Sequence, residues 1–257
     1  MGKIIAFANQ KGGVGKTTSA VNIAADLGHL GYNTLLIDCD PQGNASSAVG
    51  ATTGKTDTFD VLVNGEDAKS AIQKTKFKNL SVIPSDMNLA AADIELSKKE
   101  KRETLLRDSL LPIKEDFDYI ILDCPPSLSL ITINALSASD LLVVPMQCEY
   151  FALEGLSQLI FTVKQIKRMY NPHLELLGII LTMFDGRLNL SLQVMEEIRR
   201  HFPDKIFTHS IPRAVRLSEA PSHSKPILYY DKYSKGSLAY LEVSRELAER
   251  VKKIYNI

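Results

Sequence analysis

Apolar residues in this chain fall into short unbroken runs, separated by longer stretches where they recur every three or four positions. Unbroken aliphatic and β-branched runs at residues 3–8, 34–38, 80–84, 119–123, 141–146 and 176–183 predict strands. Most do not alternate with polar residues, so both faces of each strand should be covered, which is the condition of a parallel sheet between helices. The intervening stretches predict helices at 16–30, 89–97, about 100–114, 153–169, 192–201 and about 236–254. Gly31 and the pair Asn171-Pro172 are stop signals. The fold class is therefore α/β: a doubly wound, mostly parallel sheet flanked by helices. No internal repeat or linker interrupts it, and a single domain over residues 1–257 is expected. The small-residue stretch 50–58 predicts a mobile loop rather than a domain joint.

Composition narrows the function classes. Hydrophobic residues at 45% and charged residues at 23% exclude a disordered or collagen-like chain. The longest apolar runs fall far short of the roughly 18 residues of a membrane span. The chain opens directly into its first strand without the basic and apolar regions of a signal peptide, so a cytoplasmic location is expected. Cys39, Cys124 and Cys148 are an odd set without metal-type spacing, which fits buried thiols in a reducing compartment. Thirty basic and thirty acidic residues cancel, which argues against a wholesale polyanion binder. The charge is unevenly placed, however. From residue 187 onward there are 13 Lys or Arg and 8 Asp or Glu, against 17 and 22 before it, so any basic surface lies late in the chain.

The most informative segment is Lys11-Gly12-Gly13-Val14-Gly15-Lys16-Thr17-Thr18, between the first predicted strand and the first helix. Glycines there let successive backbone N–H groups close around phosphate oxygens, and the helix N-terminus adds partial positive charge. Lys16 can reach β- and γ-phosphates, Thr17 can ligate Mg²⁺, and Thr18 is placed for the α-phosphate. The usual phosphate loop begins with glycine, whereas this chain has Gln10 at that position, followed by Lys11. Lys11 is a cation that local binding does not need. Spacing alone leaves it either a solvated loop lysine or a contributor to a phosphate on a neighbouring subunit.

Two more segments bring carboxylates to strand ends. Leu36-Ile37-Asp38-Cys39-Asp40-Pro41 places Asp38 and Asp40 at the carboxyl edge of the second strand, where open α/β sheets bind ligands. Asp123 ends the run Tyr119-Ile120-Ile121-Leu122 before Pro125-Pro126, the pattern of an acid that holds Mg²⁺, usually through water. Spacing does not rank Asp38 against Asp40.

The string Lys-Gly-Gly-Val-Gly-Lys-Thr-Thr resembles the deviant Walker A motif of the ParA/MinD group of P-loop ATPases. The segments Asp123-Cys124-Pro125-Pro126-Ser127, Gln147-Cys148-Glu149-Tyr150-Phe151-Ala152-Leu153-Glu154-Gly155 and Arg216-Leu217-Ser218-Glu219-Ala220-Pro221-Ser222-His223 extend the likeness over nearly the whole chain, to the chromosomal Soj subgroup. The resemblance implies a nucleotide switch. ATP and Mg²⁺ assemble a sandwich homodimer, in which Lys11 crosses to the partner's nucleotide. The dimer coats double-stranded DNA without sequence preference on the nucleoid, and a ParB-type protein stimulates the hydrolysis that releases it. It further implies that Asp40 handles the attacking water, that Asp38 lies near the metal shell, and that Met183, Pro212 and Arg213 lie near the adenine. Arg187 and Arg216 match the arginines that similar proteins use for DNA. On charge alone, those arginines and Lys225, Lys232 and Lys235 read equally as a solvated face.

Other readings are weaker. A MinD-like membrane-cycling ATPase would need an apolar face on the last helix, but acidic residues interrupt residues 245–254 and there is no apolar tip, so no stable membrane association is expected. An iron–sulfur ATPase would need paired interface cysteines. A tyrosine kinase of this group would need a terminal tyrosine cluster, and Tyr229, Tyr230 and Tyr233 are followed by a helix.

Overall fold

The computed structural model of the protein describes residues 2–52 and 54–256. Seven strands form one sheet: β1 (Lys3–Phe7), β2 (Thr34–Asp38), β3 (Gln73–Lys74), β4 (Leu80–Ile83), β5 (Tyr119–Asp123), β6 (Leu141–Gln147) and β7 (Glu175–Thr182), in the order β3-β4-β2-β5-β1-β6-β7. All neighbours are parallel except the edge pair β3–β4. The helices are α1 (Lys16–Leu30), α2 (Asn44–Ala48), α3 (Ala68–Ala71), α4 (Ala92–Ser97), α5 (Leu105–Leu110), α6 (Leu130–Ala138), α7 (Ala152–Met169), α8 (Asn189–His201), α9 (Val215–Glu219), α10 (Ile227–Tyr230) and α11 (Lys235–Tyr255).

Both faces of the sheet are buried, which is why its strands read as continuous apolar runs. Ile4, Ala6, Leu35, Ile37, Ile120 and Leu122 point into one core, built with α5, α6, α7 and α8. Ile5, Phe7, Leu36 and Ile121 point into the other, built with α1 and α11. The chain doubles back at β1, which lies between β5 and β6, so a crevice opens at the carboxyl ends of β1, β2, β5 and β6.

The sheet and helices agree with the predicted α/β class, with several local differences. The helix expected over 100–114 begins only at Leu105, and residues 111–116 wind as a 3-10 turn. The helix expected at 89–97 is likewise a 3-10 turn, Met87–Ala91, leading into α4. Helix α6 was not predicted, because its sequence LITINALSA is apolar on every side and carries no helical period. In the predicted loop 50–58, Thr58 already opens the following helical turn, and Thr53 lies outside the described residues. The three cysteines are buried and free of disulfides.

One buried group in the second core has no evident role in binding. Asp26 of α1 is fully buried against α11; Ser244 Oγ donates to its Oδ2 at 3.3 Å, and its Oδ1 has no partner. Burial pushes this carboxyl from its ordinary 3.8 up to about 8, against the weaker pull of Ser244 and Arg245. Folding therefore takes up a proton at Asp26. Its contribution to stability is intact below about pH 4 and is lost as pH rises toward 8, at up to about 1.4 kcal/mol per pH unit. Asp26→Asn is expected to be more stable than wild type at pH 8 and to converge with it near pH 4. Urea denaturation across that range checks this, and a difference that does not grow with pH contradicts it.

Candidate functional site

The loop after β1 is shaped by two glycines in the left-handed region, which glycine enters without steric cost. Gly13 has φ +72° and Gly15 φ +81°, both left-handed, and Gly15 is the residue from which α1 starts. This turn carries the chain from the end of β1 into the first turn of α1. Neighbouring strand ends fasten the loop. Asn9 Nδ2 donates to Pro145 O at 2.8 Å while its Oδ1 accepts the Lys11 N–H at 3.0 Å. Thr182 Oγ1 donates to Val14 O at 2.7 Å, and Gln147 Nε2 donates to Gly13 O at 3.1 Å. A second contact joins Gln147 Nε2 to Met183 Sδ at 2.9 Å.

The two loop lysines occupy opposite settings. Lys16 is 6% exposed, and its ammonium donates to Lys11 O at 2.9 Å. Burial lowers its pKa, opposed by Asp123, Cys124 and Asp40. The Lys11 side chain is 41% exposed at the rim, where its ammonium pairs with Glu149. Beyond Glu149 the rim carries Tyr150 and Phe151, both exposed and stacked edge to face.

The three strand-end carboxylates lie together but have different partners. Asp38 and Asp123 face each other in the β2–β5 register, and Phe7, the last residue of β1, pairs with Asp123. Asp38 spends both oxygens on the chain that follows: Oδ2 accepts the Ser46 N–H at 2.8 Å and the Ser46 hydroxyl at 2.7 Å, and Oδ1 accepts the Asp40 N–H at 3.1 Å. Asp40 Oδ1 accepts the Gln42 N–H at 2.9 Å, and its carbonyl accepts from Ser85 Oγ at 2.9 Å. Asp123 is fully buried, and neither of its oxygens has a hydrogen-bond partner. Burial first, then Asp38, raises its carboxyl well above the usual range, with Thr17 and Lys16 pulling the other way. A buried carboxylate without a donor, beside a threonine hydroxyl, fits one ligand of a hard cation. No group of three or more His, Cys, Asp or Glu side chains suited to a metal occurs among the described residues.

On the other side of the loop, a cavity of about 280 Å³ is lined by Gly15, Thr18, Met183, Pro212, Arg213 and Tyr240, among others. Met183 itself has φ +49°, a left-handed conformation uncommon for a non-glycine residue. The structure thus brings residues 11–18, Asp38, Asp40, Asp123, Met183, Pro212 and Arg213 around one crevice. It does not bring Arg187 or Arg216 there. Arg187 makes a two-pronged contact with Asp185, at 2.9 and 2.7 Å, and holds the Asp185 carboxyl down at about 2. Arg216 pairs with Glu219 at 2.9 Å and Asp231 at 3.5 Å and faces the Tyr230 ring. Sequence reasoning missed Asn9, Gln147, Glu149 and Thr182 as site residues. The strand-end rule used for Asp123 also points to Gln147 and Thr182, which end the two strands beyond β1.

The family profile described as AAA domain matches residues 2–176. The chain is 52% identical over 250 residues to the sporulation initiation inhibitor protein Soj of Bacillus subtilis, covering 96% of this chain and 99% of that protein. It is 49% identical over 252 residues to the chromosome partitioning protein ParA of Myxococcus xanthus, covering 97% and 89%. Among solved structures, a cobyrinic acid a,c-diamide synthase from Mycobacterium smegmatis with bound ADP and magnesium superposes with a TM-score of 0.86. Its identity is 33%, over 98% of this chain and 96% of that one.

Proposed function

Because the chain belongs to the Soj/ParA family of chromosome-partitioning ATPases, we propose that ATP and Mg²⁺ drive two copies face to face into a sandwich dimer that binds double-stranded DNA without sequence preference. A ParB-type protein then stimulates the hydrolysis that returns the dimer to single copies. The chain is an ATPase whose nucleotide is ATP and whose metal is Mg²⁺.

Each residue contributes separately. The backbone N–H groups of residues 12–18 and the N-terminus of α1 bind the phosphates, and Lys16 turns from Lys11 O to the β- and γ-oxygens. Thr17 and Asp123 would hold the metal, which when bound would supply positive charge to offset that of the phosphates. Asp38 anchors the turn before α2 and so fixes Asp40, while its own charge borders the metal shell. Asp40 accepts a hydrogen bond from the attacking water and aligns it with the γ-phosphorus. Met183, Pro212 and Arg213 enclose the base. Arg187 and Arg216, both exposed, contact DNA phosphates, and doubling them in a dimer multiplies the grip without any new contact within a copy.

The observation that carries the dimer is the contrast between the loop lysines. Lys16 is buried within its own loop, whereas the half-exposed Lys11 ammonium pairs with a rim carboxylate and is available to the nucleotide of a second copy. A surface pair of this kind is worth about 0–1 kcal/mol, so releasing it costs little. Lys11→Ala is expected to bind ATP within a few-fold of wild type while losing the ATP-dependent dimer and ATP-dependent DNA retention. Light scattering and DNA mobility shift check this, and equal ATP-dependent dimerisation of the two proteins refutes it. The membrane-cycling alternative has less support, because Tyr240, Val243, Leu247 and Val251 of α11 are buried in the core shared with α1. No helix among the described residues is long and apolar enough to cross a membrane.

A further inference from the structure

Beyond β7 the sheet is edged by a strap, residues 204–212, which runs parallel to β7 without becoming a regular strand. Ile179 N–H donates to Lys205 O at 2.7 Å and Phe207 N–H to Ile179 O at 2.9 Å. Farther along, Ile211 N–H donates to Leu181 O at 2.8 Å and Phe184 N–H to Ile211 O at 3.0 Å. From Phe207, which donates to Ile179 O, to Ile211, which donates to Leu181 O, the strap advances four residues against two on β7. The two extra residues bulge out, and they take backbone groups off the ladder that must find other partners.

Helix α11 supplies those partners. Glu246 accepts the Thr208 N–H, at 3.0 Å to Oε1 and 2.9 Å to Oε2, and also the Thr208 hydroxyl at 3.2 Å. Arg250 donates to Asp204 O at 3.2 Å, Leu177 O at 3.2 Å and Ile206 O at 2.7 Å, and pairs with Glu246 at 2.7 Å. Its guanidinium lies 4.3 Å from the centre of the Phe207 ring. The approach needs Gly178 on β7: a Cβ there would stand 2.7 Å from Lys205 O and 2.9 Å from Arg250 Nη1. The held segment leads directly to Pro212 and Arg213, which wall the 280 Å³ cavity.

We propose that Glu246 and Arg250 are positioning residues for the nucleotide base: by holding the bulge at Thr208 they fix the register that places Pro212 and Arg213 over the base cavity. This rests on the reading of that cavity as the base site. Without the clip, the bulged stretch between Phe207 and Ile211 loses its side-chain anchors, and the backbone that carries Pro212 and Arg213 is no longer held in place against the cavity. The phosphate loop, fastened separately by Asn9, Gln147 and Thr182, does not depend on the clip.

Calorimetric titration with ADP, GDP and pyrophosphate, each with magnesium, separates these dependences. Wild type is expected to bind ADP more tightly than pyrophosphate. Glu246→Ala should bind ADP at least tenfold more weakly, discriminate less against GDP, and keep its pyrophosphate affinity within about threefold. Arg250→Lys, which keeps the charge but loses the fork across the carbonyls, should show the same selective loss, and Glu246→Gln, which keeps an acceptor for Thr208, should recover most of it. Unchanged ADP affinity in both Glu246→Ala and Arg250→Lys, or a parallel loss of ADP and pyrophosphate, overturns the proposal. Equal wild-type affinity for ADP and pyrophosphate removes the base site itself and the proposal with it.

Discussion

Lys16→Ala is expected to abolish ATP binding and to lower phosphate release on the order of a thousandfold. The side chain is buried, so its ammonium is already stripped of much of its water and meets phosphate charge in a low-dielectric setting, where it is worth most. Its removal also leaves Asp40 and Asp123 beside the phosphates without the cation that now offsets them. Calorimetric titration with Mg-ATP and a phosphate-release assay check this. Binding within tenfold of wild type would mean that the loop backbone alone holds the nucleotide.

Asp40→Ala is expected to keep ATP and the ATP-dependent dimer while slowing single-turnover hydrolysis by about 10²–10⁴-fold, the usual range for loss of a residue that handles the attacking proton or water. The substitution is mild for the fold, because Asp40 uses backbone atoms for its bonds to Asp38 and Ser85, and only the Gln42 N–H loses a side-chain acceptor. Asp38→Ala makes the contrast: it frees three donors at once and loosens α2. Wild-type single-turnover rates in Asp40→Ala would reject the assignment. The trapped dimer should also remain on DNA after ATP is diluted.

Much of this site could be read before the structure because its chemistry is contiguous. Residues 11–18 are one continuous segment, and Asp38 and Asp123 each end an apolar run whose bounds, Thr34–Asp38 and Tyr119–Asp123, are the observed ones. Helix α1 was equally plain, with mostly buried positions up to the stop at Gly31. Elements without a period were not legible. Helix α6 is apolar on all sides, β3 is two residues long, and residues 100–104 look helical in composition but do not form a helix. The braces of the loop were hidden for another reason. Gln147 reaches Gly13 over 134 residues and Thr182 reaches Val14 over 168, and such pairings exist only once the sheet has set β6 and β7 beside β1. The clip on the strap is of the same kind: Glu246 reads as an exposed acid on a surface helix until the bulge at Thr208 is seen.

Arg187 and Arg216 each already hold a carboxylate of their own chain. An incoming polyanion therefore gains no bare cation at these positions; it competes with Asp185, Glu219 and Asp231, and keeps only the difference between two similar attractions. If the proposed DNA binding runs through these two arginines, one copy alone would have a shallow, quickly exchanged hold, and a lasting one would require several such exchanges made together. Attachment of that kind would let go in steps once the two copies part.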